Sequence, residues 1–155
     1  MKSVISSLPA AVPILATTAT ANDRVVSDLE KQLGNNVFVS RGPLTRESLS
    51  IQILEMPDRI TRYAWILENI NKLPGSGIIY CLTQRDCDYL SDFLKKNGIN
   101  AEAYYSRDGE DGALLNKDIE EKFRRNEIKA IVATIKLGMG YDKGDIAFVI
   151  HYQMP

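Results

Sequence analysis

Between Gly77 and His151 the chain alternates short, unbroken apolar runs with amphipathic stretches, and that alternation leaves few folds open to it. The runs Gly77 to Cys81, Ala101 to Tyr105, Ala130 to Ala133 and Ala147 to His151 are continuous rather than alternating, as in strands buried on both faces of a mainly parallel sheet. Between them, Arg85 to Asn97 reads as a helix capped by Thr83 and stopped by Gly98, and Asn116 to Asn126 places Ile119 and Phe123 on one helical face. Strand, helix, strand, helix, strand, short helix, strand is the grammar of an open α/β sheet with helices on both faces.

Upstream the pattern is thinner. Val12 to Ala16, Val37 to Val39 and Leu49 to Leu54 are further strand candidates. Asn22 to Leu33 opens on an Asn cap and stops at Gly34, and Arg59 to Asn71 carries Ile60, Tyr63, Ala64, Leu67 and Ile70 at helical spacing. Gly34 to Leu49 holds the breakers Gly34, Asn35, Asn36, Gly42 and Pro43 and reads as a junction. One strand and one helix cannot bury a sheet face alone, so residues 1–40 read as the tail of a different domain. Residues 41–76 read as linker with a first strand and helix, and 77–155 as the core of a complete layered domain.

Charge and cysteine usage narrow the chemistry. With 19 Lys+Arg against 20 Asp+Glu the net charge is -1 and the pI about 5.9, so any nucleic-acid contact has to be local. Cys81 and Cys87 are the only cysteines, which excludes a disulfide framework and a four-ligand zinc site and suits a reducing compartment. The stretch from Lys2 to Ala21 imitates a signal peptide, but Pro9, Pro13, Ser3, Ser6 and Ser7 break up its apolar character. No run reaches the ~18 apolar residues of a membrane span.

Three segments share one design: a buried strand ends and a Thr- or Gly-bearing turn leads into a helix, so that amides and hydroxyls converge where an anion can sit. They are Leu15 to Ala21 (LATTATA), Gly77 to Arg85 (GIIYCLTQR) and Ile131 to Asp142 (IVATIKLGMGYD). In a parallel sheet all such strand ends share the carboxyl edge, where ligands bind. Singly, each has a plainer reading. Thr83 and Asp86 form a capping box, Gly138 and Gly140 serve an ordinary turn, and the Ala/Thr run is a tight small-residue turn.

Together, in this order, they resemble the motor of superfamily 2 helicases, and most closely the RecQ family of DNA helicases. LATTATA is similar to motif III at the end of the first RecA-like lobe, and GIIYCLTQR to motif IV, followed by the strand INAEAYY from Ile99 to Tyr105. IVATIKLGMGYD with Lys143, then FVIHYQMP from Phe148 to Pro155, is similar to motif V and its following strand. The resemblance implies a RecA-like fold and an ATP-driven enzyme that moves toward the 5′ end of single-stranded DNA, unwinds duplex and serves repair or recombination. It implies coupling roles for Thr18, Ala19 and Thr20, phosphate contacts for Thr83, Arg85 and Thr134, and a nucleotide-cleft position for Gly138, Gly140 and Asp142. Gly144 stands where the family has Pro, and Ser106 to Gly109 replaces its Ala-Gly-Leu turn, so the loop from Ser106 to Gly112 is expected to grip DNA differently.

The chain holds no Gly-x-x-x-x-Gly-Lys-Ser/Thr motif and no DEAD- or DEAH-type acidic box, and it ends at Pro155, before the Gly-Arg-rich motif VI. ATP and Mg2+ are therefore expected in a full-length protein and not on this stretch, which is expected to be inactive alone. The expected partners are single-stranded or forked DNA and an N-terminal ATPase lobe; residues 1–33, separated from the rest of their sheet, are expected to pack on a second copy of the chain or add to an exposed sheet edge, a dimer induced by truncation. The expected compartment is cytoplasmic, nucleoid-associated in a bacterium. Two alternatives stay open at this level: a self-contained nucleic-acid-binding or regulatory module, and an RNA-directed superfamily 2 helicase. His151, Trp65, Tyr63 and Cys81 read as structural, whereas Tyr104 and Tyr105, ending a strand on the ligand edge, could stack on a base.

Overall fold

The structure is a computed structural model in which residues 9, 12–18, 22–33, 37–40, 42, 48–137 and 141–153 are described. The chain divides into two compact units, Met1–Gln52 and Ile53–Pro155.

In the first unit, α1 spans Asp23–Leu33. The Asn22 side chain accepts the Val25 N–H at 3.0 Å, the cap that the sequence leads one to expect. Residues 12–18 form no strand. Pro13 cannot donate to a ladder, the Val12 N–H turns back to the Pro9 carbonyl at 3.0 Å, and Leu15 is 88% exposed. Residues 37–39 and 49–54 are likewise irregular, with Phe38, Ile51 and Ile53 almost fully exposed. All three expected strands fail for one reason: β propensity measures fit to a half-buried pleated surface, and none of these segments pairs with a strand among the described residues.

In the second unit, α2 spans Arg59–Asn69, β1 Ser76–Tyr80, α3 Gln84–Lys96, β2 Ala101–Tyr104, α4 Gly109–Arg124, β3 Ala130–Ala133 and β4 Ile146–His151, with a 3-10 turn at Ile135–Leu137. The four strands are parallel, in the order β2-β3-β1-β4. One face buries Ile66, Ile70, Cys87, Leu90 and Leu94 from α2 and α3 against Ile79 and Val132. The other buries Ile119 and Phe123 from α4 against Ile78 and Ile131. Helices therefore cover both faces, and the two central strands, β1 and β3, are the most deeply buried. Edge strand β4 instead alternates, with Phe148 and Ile150 turned inward and Val149 half exposed.

α4 begins at Gly109, seven residues before the expected start at Asn116. Gly112 within it is not a breaker: a Cβ there would stand 2.5 Å from the Arg107 Cβ, so the close approach of the preceding loop requires glycine. Gly77 is held the same way, since a Cβ would meet the Phe148 ring at 2.4 Å.

Candidate functional site

The carboxyl edge of the sheet gathers the two segments whose strands lie side by side. Tyr80 at the end of β1 is in register with Ala133 at the end of β3, and the Cys81 N–H donates to the Ala133 carbonyl at 2.8 Å. Thr83 and Arg85 leave the sheet three and five residues after Tyr80, and Thr134 leaves it directly after Ala133. All three therefore sit at one end of the sheet. The ends of β2 and β4 join them, since Tyr104 is in register with Ala133 and His151 with Tyr80.

The two threonines are not equivalent. Thr83 caps α3: its hydroxyl accepts the Asp86 N–H at 3.1 Å and donates to the Asp86 carboxylate at 2.8 Å. It is exposed but already committed. Thr134 donates its N–H to the Tyr104 carbonyl at 3.2 Å and accepts the Leu137 N–H at 3.2 Å, closing the 3-10 turn, while its hydroxyl has no partner among the described residues. The Tyr80 phenol donates to the Leu137 carbonyl at 2.8 Å and holds that turn against the sheet. Lys136 is carried on the turn, exposed, with its ammonium 5.7 Å from the Tyr104 ring and no carboxylate partner among the described residues. The sequence motifs do not mark Lys136; its position two residues beyond Thr134, at the end of β3, is the signal that points to it.

Arg85 is exposed, stacked 5.2 Å over the Tyr89 ring, and its Nε donates to the Tyr89 phenol at 3.3 Å. Gln153, beyond β4, accepts the Leu82 N–H at 3.0 Å and donates to Asp86 at 3.2 Å, which ties the β1–α3 turn to the chain after β4. Cys81 and Cys87 are both buried beneath this turn as small apolar filling, and the hydrogen bond to Cys87 together with burial pushes the Cys81 thiol far up.

Neither tyrosine ending β2 is a free stacking platform. Tyr104 is buried, with its phenol donating to Glu120, and burial first and that carboxylate second push it from 10.0 up to about 12. The Tyr105 phenol donates to Asp88 at 2.8 Å, and its ring is covered by the Arg107 guanidinium at 4.2 Å. Arg107 in turn donates to Asn116 and to the Ala103 carbonyl at 2.9 Å, and Asn116 donates to the Tyr105 carbonyl at 2.9 Å. The loop after β2 is thus tied inward, with Arg107 spent on the protein itself.

Because the folded state holds the Tyr104 proton more tightly, its stabilisation is complete below pH 10 and is lost as pH rises from about 10 to about 12. Tyr104→Phe is expected to flatten that alkaline fall in urea-unfolding free energy. An unchanged fall would remove Tyr104 as its source.

Among the remaining expected site residues only Asp142 and Thr18 are described. Asp142 is exposed and makes no hydrogen bond or ion pair among the described residues. Its neighbours run toward the opposite edge: Tyr141 stacks on Phe123 at 6.1 Å, and buried Lys143 donates to Asn126 at 2.9 Å and to Asp145. Gly138 and Gly140, and Ala19 and Thr20 of the coupling segment, lie outside the described residues; Thr18 is exposed in the first unit. His151 is exposed, with its ring stacked on Tyr80 at 5.4 Å. No group of three or more potential metal ligands occurs among the described residues.

Comparison with known proteins places this geometry. The family described as helicase conserved C-terminal domain matches residues 61–155. A protein of Caenorhabditis briggsae assigned as an ATP-dependent DNA helicase Q1 is 40% identical over 149 residues, covering 93% of this chain and 24% of that protein. The RecQ-like DNA helicase BLM of Xenopus laevis is 36% identical, covering 93% and 11%. The ATP-dependent DNA helicase RecQ of Bacillus subtilis is 34% identical, covering 92% and 23%. The chain thus spans a quarter or less of the length of these relatives. In three dimensions it is similar to S. cerevisiae Dbp5 bound to RNA and ADP BeF3, with TM-score 0.71, 18% identity and coverage of 99% of this chain and 39% of that one. It is also similar to a DEAD box protein from Methanococcus jannaschii, with TM-score 0.52, 23% identity and coverage of 61% and 25%. These structures share the fold: a RecA-like lobe, parallel and covered on both faces.

Proposed function

This chain belongs to the helicase conserved C-terminal domain family, and from that premise we propose that it is part of a RecQ-like, ATP-dependent DNA helicase. Residues 77–155 form the core of the second motor lobe, 41–76 its entry, and 1–40 the end of the first lobe. The observation that carries the reading is the common carboxyl edge on which Thr83, Arg85, Thr134 and Lys136 converge although they come from separate strands. A phosphodiester backbone fits such an edge, because hydroxyls, amides and cations grip phosphates without reading bases.

In the complete protein, ATP with Mg2+ sits between two lobes, and its binding and hydrolysis close and reopen the cleft, so that two gripping surfaces step along the strand. The phosphate-holding Lys and the Mg2+-holding carboxylate come from outside this chain, which carries neither motif. Within it, Thr134 and Arg85 hold phosphates, Thr83 fixes the turn that aims Arg85, and Thr18, Ala19 and Thr20 couple nucleotide state to grip. Gly138, Gly140 and Asp142 line the cleft side. The partners are single-stranded or forked DNA and an N-terminal ATPase lobe; a dimer through residues 1–33 is proposed only for the isolated 155-residue stretch, as a consequence of truncation. The setting is DNA repair or recombination in the cytoplasmic, nucleoid-associated compartment of a bacterium or its equivalent elsewhere.

The purified chain is expected to bind fluorescent oligo(dT) with an affinity that falls with salt, the logarithmic slope being about -0.7 for each phosphate held. It is expected to turn over no ATP above blank. Thr134→Val is expected to weaken binding by more than Thr83→Val, because of the two hydroxyls only that of Thr134 is unspent among the described residues. Failure to bind oligo(dT), or equal competition by a matched RNA strand, would overturn the DNA assignment; ATP turnover would overturn the division of labour.

A further inference from the structure

Beside the carboxyl edge, three guanidiniums and three tyrosines interleave. Arg85 lies 5.2 Å over the Tyr89 ring, and Arg59 lies 5.0 Å from both Tyr89 and Tyr63. Tyr63 packs on Tyr152 at 5.7 Å, and Arg62 lies 4.9 Å over Tyr152. Hydrogen bonds fix the cations further: Arg59 donates to the Tyr63 phenol at 2.8 Å, Arg85 to the Tyr89 phenol at 3.3 Å and Arg62 to the Asp58 carbonyl at 3.2 Å.

No guanidinium of this ladder forms a direct ion pair among the described residues. Elsewhere among the described residues Lys95, Lys122, Arg125 and Lys143 each pair with a carboxylate, but Arg59, Arg62 and Arg85 have none within 4.0 Å. The two nearby carboxylates attract Arg62 and Arg59 only from beyond that distance, their oxygens being turned to neutral donors: Asp58 accepts the Thr61 N–H and hydroxyl, and Asp86 accepts from Thr83 and Gln153. Neutral aromatic bracing holds a guanidinium in place while preserving its full attraction for an anion, and a fixed planar fork suits phosphate oxygens. On a chain of net charge -1, three such cations on one surface are a local exception.

We propose that Arg59 and Arg62, continuous with Arg85, form an extension of the gripping edge that holds further phosphates of a single-stranded DNA backbone. This rests on the DNA-binding reading above and lengthens its track onto α2, a helix that the sequence motifs do not mark. Tyr89 acts as a brace rather than a base platform, because two guanidiniums already lie over its ring.

The test uses the whole 155-residue chain and fluorescent oligo(dT), titrated across a series of salt concentrations. The double variant Arg59→Gln/Arg62→Gln is expected to bind on the order of tenfold more weakly, with the salt slope reduced by about 1.4, two contacts' worth. A merely structural loss would lower the thermal midpoint and leave the slope unchanged, so an unchanged slope overturns the proposal. If the wild-type chain binds and the double variant binds equally well, the extension fails while the edge assignment stands; if the wild-type chain does not bind, both fail. Displacement of oligo(dT) by polyglutamate from wild type, with the double variant resistant, would assign the ladder to an acidic polypeptide and overturn it as well.

Discussion

A Phe123→Ala chain is expected to unfold with a free energy about 3–5 kcal/mol below wild type. Phe123 lies near the carboxyl-terminal end of α4 and is the largest fully buried side chain among the described residues, in the cluster that joins that helix to Ile78 and Ile131. Its removal opens a cavity in the middle of one sheet face, and small-to-moderate relaxation does not refill the volume of a phenyl ring. Tyr141 stacks on the same ring, and the Lys143 ammonium lies 5.3 Å over it. The damage therefore spreads to the connection between Leu137 and β4, which carries Asp142. Urea unfolding followed by circular dichroism measures the loss, with the m-value expected to stay constant. A loss under 1 kcal/mol would mean that α4 does not anchor this face as described.

The second large effect is expected at Gly77, where the change adds an atom instead of removing several. Gly77→Ala puts a Cβ 2.4 Å from the Phe148 ring across the β1–β4 pair, so the ring or the edge strand has to shift. Overpacking of this kind costs about 1–3 kcal/mol. Phe148 also lies under the Lys129 ammonium at 5.5 Å, and Lys129 donates to the carbonyls of Leu73 and Gly75, so displacement of the ring disturbs the turn that feeds β1. Phe148→Leu is expected to recover part of the Gly77→Ala loss by vacating the space, a coupling that a double-mutant cycle on unfolding free energies reads directly. Simple additivity of the two changes would show that the clash is relieved by another route.

Where the sequence is legible and where it is not follows from what each pattern measures. β3 at Ala130–Ala133 and β1 near Gly77 announce themselves because central strands are apolar on both faces, and that property is written in consecutive residues. The same apolar character misleads at Val12 to Ala16 and Leu49 to Leu54, which pair with no strand among the described residues. Gly109 and Gly112 look like breakers, yet one begins α4 and the other makes room for Arg107, a requirement that arises only once the loop folds back. The common edge of Thr83, Arg85 and Thr134 is legible because parallel topology dictates it. The commitment of the Thr83 hydroxyl to Asp86, the burial of the Tyr104 phenol against Glu120 and the Arg–Tyr ladder are not, because each depends on side chains that meet only in space. Tyr89 and Arg59 are thirty positions apart, and no periodicity links them.

β1 and β3 are immediate neighbours, bonded residue for residue up to Tyr80 and Ala133. Whatever hangs from their tips is consequently separated by about 4.8 Å of sheet and little else. Such a mount behaves as a ruler: its marks travel together or not at all, and it has no joint between them to flex. If the proposed reading holds, progress along a polymer comes from carrying the whole ruler forward as one piece, with the stride set by the swing of entire bodies and the spacing of the fingers left constant.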